Sequence, residues 1–205
     1  MRILISNPET DAFTRYLLHW SKRLIEEVGE RNEIFHADGE KANRTKIEGM
    51  LNKRNIDLVL LNGHGDDRSV LGNNNEVVVD LENVELLNGK TVHAMSCSSA
   101  KELGKVAVEK GARAYVGYNA PFLAPRMDDK ISNPLNDSTA ALFLDPAFIT
   151  QKALINGKKP TEAVRLGKKE YNRSIVKALM SPVQSDNDQF IGLLLWDRDH
   201  LVNCE

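Results

Sequence analysis

Short apolar runs alternate with amphipathic stretches through the first 118 residues, and this alternation constrains the fold more than any other feature. RILIS is followed by a segment that sets Phe13, Tyr16, Leu17, Trp20, Leu24 and Val28 on one face at helical spacing. EIFHA reads as a second strand, residues 41–54 gather Ile47, Met50 and Leu51 on one helical face, and the run IDLVLL follows. An irregular connection over 66–90, containing LGNNN and EVVVD, leads to the strand TVHAMS, a helix expected over about 98–110 and the strand GARAYVGY. Such alternation predicts an α/β fold: a mostly parallel sheet of about six strands in a three-layer sandwich with helices on both faces.

The rest of the chain is read as a long loop over 119–137, rich in Pro, Asn and Asp, and then two helices. The first, over 138–156, is expected to restart at Asp145-Pro146, and the second spans 160–179. FIGLLLW is expected as a last strand at the sheet edge. The length of 205 residues suits one domain over 1–205.

Lys+Arg 27 against Asp+Glu 29 leaves a net charge of -2, which argues against nucleic acid or an anionic membrane as the main partner. Only two cysteines occur, and the start MRILISNPET lacks the pattern of a secretory signal. No apolar run approaches the roughly 20 residues of a membrane span. A soluble, cytoplasmic protein without a disulfide framework is expected.

In open α/β sheets, reactive residues gather beyond the carboxyl ends of the strands. IDLVLL runs into NGHGD, which places His64 between two glycines, and TVHAMS runs into Cys97. A cysteine after a strand is ordinarily a small buried hydrophobe, and a loop histidine is ordinarily solvated or capping. Two such residues at two strand ends, one framed by glycines, point instead to a thiol and its base. Cys97 is expected at a helix N-terminus, where the dipole favours the thiolate. The N–H groups of Gly65 and Cys97 are candidate oxyanion donors, with Gly65 lacking a side chain so that a substrate carbonyl can approach.

Competing chemistries lack their motifs. Arg68 stands where the third glycine of a dinucleotide fingerprint belongs, and no P-loop occurs. Met95 and Ser99 replace the glycines of a nucleophile elbow. His19, His36, His93 and His200 show no metal-ligand spacing, so neither a metal nor another cofactor is expected. Arg165, Lys169, Arg173 and Lys177 form a basic stripe on one helix, read as a solvated face.

LVLLNGHGDD and TVHAMSCSSA, in that order, resemble the two motifs of the caspase-like cysteine peptidases, which include caspases, metacaspases, legumain, gingipain, separase and the CHAT domains. GHG with CSSA is most similar to separase and CHAT. GARAYVGYNAPF and FITQKALINGKKPTEAVRLGKKEYN resemble the strand, loop and paired helices that follow in CHAT proteins. The resemblance implies a caspase-like, flavodoxin-related sheet and an endopeptidase acting on a protein or peptide. Cys97 would be the nucleophile, His64 the general base or acid, and Gly65 and Cys97 the oxyanion donors. It also implies a preference for cleavage after Arg or Lys. Met95 stands where metacaspases carry an acidic residue, so Asp128 and Asp129 become the candidates to receive a basic side chain. Self-cleavage after Arg126 or Lys130 is a second expectation, and a non-catalytic binding or scaffold module on the same fold is the alternative to an enzyme.

Overall fold

The computed structural model describes residues 1–28, 31–180 and 184–205, with side chains at 184–189 left out of the description. The strands are β1 (Arg2–Asn7), β2 (Glu33–Asp38), β3 (Leu58–Asn62), β4 (Ser69–Leu71), β5 (Val77–Asp80), β6 (Thr91–Met95), β7 (Ala114–Tyr118) and β8 (Leu201–Cys204). The helices are α1 (Ala12–Val28), α2 (Arg44–Lys53), α3 (Leu103–Glu109), α4 (Ser138–Ile155), α5 (Pro160–Leu179) and α6 (Gln184–His200). Six strands form one sheet in the order β2-β1-β3-β6-β7-β8; all are parallel except β8, which runs antiparallel to β7. β4 and β5 make a separate antiparallel hairpin inside the connection from β3 to β6.

The inner strands read as continuous apolar runs because both faces of the sheet are covered. Ile3, Ile5, Leu58, Leu60, Val116 and Tyr118 join Trp20, Phe143 and Tyr171 in the core beneath α1, α4, α5 and α6. Leu4, Val59, Leu61, Val92 and Tyr115 point the other way, into the core of α2, α3 and the hairpin. The α/β three-layer expectation is therefore met.

Buried amides tie together the carboxyl ends of the strands on the α4 side. Asn7 donates to Asp38 at 2.7 Å, Asn62 to Asn7 at 2.8 Å, and Gln151 of α4 to Asn62 at 2.6 Å and to His93 at 3.3 Å. Burial pushes His93 down to about 3, so this ring is a neutral acceptor within the core.

Three expectations about elements need correction. FIGLLLW is not a strand: it lies in α6, where Leu194 and Asp197 face inward three positions apart, and the edge strand is the shorter β8 that follows. The helix expected from about residue 98 begins only at Leu103. α4 does not restart at Asp145-Pro146 but runs through Pro146, which forgoes one backbone bond within a well-packed helix.

Candidate active site

β1 has β2 on one side and β3 on the other, so the chain reverses its order across the sheet at β1/β3. Crevices beyond strand ends open at such switch points. The loop after β1 brings Asp11 there, the first turn of α1 brings Phe13, the loop after β3 brings His64, and the loop after β6 brings Cys97. β3 and β6 are parallel neighbours, with Asn62 in register with Met95. His64 and Cys97 thus both line one cleft of about 410 Å³, with Asp11, Phe13, Phe122 to Arg126, and Leu193 of α6.

His64 is about one-third exposed, and its Nε2 lies 2.7 Å from Asp11 Oδ2. The Phe13 ring packs against it with centroids 5.4 Å apart. Burial pushes the Asp11 carboxyl up, but the Thr14 N–H and the His64 ring outweigh this and hold it below its ordinary value.

Cys97 is partly buried, and its thiol points at the Phe122 carbonyl 3.8 Å away. Phe122 is wedged between Phe13 and Tyr118, with ring centroids 6.2 and 4.7 Å away. Cys97 is not at a helix N-terminus. A turn over 98–102 separates it from α3, with Ser98 in the left-handed region at φ 56°, so the α3 dipole gives its thiolate no direct help. Burial pushes the thiol up, and the nearby Asp197 carboxyl adds to this. The resting sulfur is therefore a thiol that needs a base.

Gly65 forms a bridge with Val70 in which the ladder bonds belong to its neighbours: Leu71 donates to the His64 carbonyl and Asp66 to the Ser69 carbonyl. The Gly65 and Cys97 N–H groups accordingly have no acceptor among the described residues. The reason for glycine differs from the one expected. A Cβ at Gly65 would run into Ser96 Oγ and come within 2.5 Å of the Ser69 carbonyl, so the chain's own packing excludes a side chain there.

Asp128 and Asp129 do not join the cleft lining. They sit exposed on a short 3-10 turn, with Asp129 paired to Lys130 at 2.8 Å. The carboxyls that the fold brings near Cys97 and His64 are instead Asp11 and Asp197. Asp197 of α6 is fully buried; one oxygen accepts from the Leu123 N–H at 3.0 Å and the other has no partner among the described residues. Asp11, three residues before Thr14 at the head of an amphipathic run, had a readable capping signal but no readable link to His64. Asp197 is far from both motifs in sequence and gave none. Among the described residues no group of three or more His, Cys, Asp or Glu is placed to hold a metal ion, and no helix is long and apolar enough to cross a membrane.

A comparison with protein-family models finds no match, and a comparison with curated proteins likewise finds none.

Proposed function

We propose that this chain is a cysteine endopeptidase of the caspase-like type, in which Cys97 attacks a peptide carbonyl and His64 manages the proton. The observation that carries this reading is the meeting of His64 and Cys97 in one cleft at the carboxyl ends of adjacent parallel strands. The Cys97 S–H bond breaks as His64 takes the proton; the sulfur pair then forms the S–C bond and the carbonyl becomes an oxyanion. The unpartnered N–H groups of Gly65 and Cys97 are the donors available to it. Collapse of the intermediate expels the amine, which takes the proton back from His64 and leaves a thioester. Water, deprotonated by His64, hydrolyses the thioester and returns the thiol.

The described lining of the cleft holds no free carboxylate to receive an Arg or Lys side chain. Asp128 and Asp129 stand away from the lining, Asp11 is engaged by His64, and Arg126 at the rim has no carboxylate partner among the described residues. The deciding experiment is labelling of the whole chain with peptide acyloxymethyl ketones ending in Arg, Lys or Asp, read by intact mass. Covalent modification of the wild type, lost in Cys97→Ala and strongly slowed in His64→Ala, is expected. Failure of every probe to modify Cys97 would overturn the peptidase reading and leave a binding module. The same spectra over long incubation test self-cleavage after Arg126 or Lys130.

A further inference from the structure

We infer that Asp11 is a positioning residue: it fixes His64 as the tautomer with its proton on Nε2, leaving a bare Nδ1 to exchange protons with Cys97. This rests on reading His64 and Cys97 as a reactive pair, but not on the identity of the substrate.

The two oxygens of Asp11 have separate tasks. Oδ1 accepts from the Thr14 backbone N–H at 2.9 Å, and the Asp11 carbonyl takes the Arg15 N–H at 3.0 Å, so Asp11 caps α1. Oδ2 is left to face His64 Nε2 at 2.7 Å. A carboxylate held ionised by the Thr14 N–H and by the start of a long helix is an acceptor only, so the neutral ring must present Nε2–H to it. Nδ1 then carries the lone pair. Phe13 packed on the ring limits its rotation, and the capped helix start fixes the carboxylate.

The S–H bond of Cys97 breaks, an N–H bond forms at Nδ1, and the electron pair remains on sulfur. The imidazolium so produced already has a negative charge at hydrogen-bond distance from its other nitrogen, so separating the charges requires no rearrangement.

The division between the oxygens supplies the test. Asp11→Ser keeps a short side-chain oxygen that can cap α1 but cannot reach His64; Asp11→Asn keeps the cap and a neutral acceptor. Two quantities are measured on the whole chain: the His64 tautomer, by long-range proton–nitrogen NMR, and the pH dependence of Cys97 alkylation by iodoacetamide. The wild type should show the Nε2–H form. In Asp11→Ser the tautomers should mix and alkylation near neutral pH should fall roughly tenfold, as expected for loss of a charge-assisted hydrogen bond. Asp11→Asn should keep the tautomer and fall less. A wild-type ring protonated on Nδ1 overturns the inference whether or not the variants fold. So does a folded Asp11→Ser with unchanged tautomer and alkylation profile. Alkylation and tautomer behaving as expected while every peptide probe fails would uphold Asp11 and reject the peptidase reading.

Discussion

Asp197 of α6 is fully buried and bonded to the lining residue Leu123, and its second oxygen, without a partner among the described residues, carries an energetic consequence of its own. Burial raises this carboxyl from 3.8 to about 8, with the Leu123 N–H only partly opposing the shift. Because the folded value is the higher one, the stability from keeping Asp197 protonated is fully present below pH 3.8 and is lost as pH rises toward about 8. Asp197→Asn keeps an acceptor for the Leu123 N–H and removes the ionisable group. It should therefore stabilise the protein by roughly 2–4 kcal/mol at pH 8 and by far less at pH 4, as measured by urea denaturation at both values. An equal gain at the two pH values would show that charge is not the cause. Gly65 makes a different point. Since a Cβ there meets Ser96 and the Ser69 carbonyl, Gly65→Ala should cost about 2 kcal/mol or more of folding stability as well as turnover. Ser96→Ala should rescue it only in part, because the carbonyl contact remains.

Among the elements, the capped start of α4 ties down the end of the 119–137 loop. Asp137 is fully buried and caps α4 through the Ala140 N–H at 2.9 Å; its other oxygen accepts from Tyr16 Oη at 2.9 Å and from the Met127 N–H at 2.7 Å. Asp137→Ala removes a cap and the carboxylate acceptor of the buried Tyr16 hydroxyl and of the part-buried Met127 N–H, which should cost roughly 2 kcal/mol. Limited proteolysis should then cut the 119–137 loop sooner than in the wild type, and an unchanged cutting rate would show that other contacts hold it. The parallel strands were legible because RILIS, IDLVLL and TVHAMS are short, β-rich and covered on both sides. FIGLLLW was not, because an apolar run without polar interruptions carries neither a two-residue nor a 3.6-residue period. Its helical face appears only when Asp197 is counted among the inward residues, and a buried carboxyl is invisible to a hydrophobic pattern. Likewise, nothing in CSSAKEL announced the turn that delays α3, since Ser98 adopts a left-handed conformation that serine seldom takes. That His64 and Cys97 share one cleft was readable from their positions at strand ends, whereas Asp11 and Asp197 come near them through tertiary packing.

Over the whole molecule, the cleft draws on parts of the chain that are far apart: the loops after β1, β3 and β6, the segment after β7, and α6 near residue 193. Its sheet is mostly parallel, and each parallel pairing requires a crossover, so long-range contacts dominate and folding is expected to be slow for this size. The same α6 that gives Leu193 to the lining also gives Asp197 to the Leu123 N–H and Trp196 to the Pro121 carbonyl at 2.9 Å. One wall and its fastenings are thus made late in translation. At about 5–20 residues per second, the ribosome reaches Leu193 roughly 5–20 s after it has joined Cys97 to the chain. Through that interval a nascent chain has its thiol and its imidazole but not the surface that shapes a cleft around them, so any reactivity that depends on the closed cleft begins no earlier than the emergence of α6.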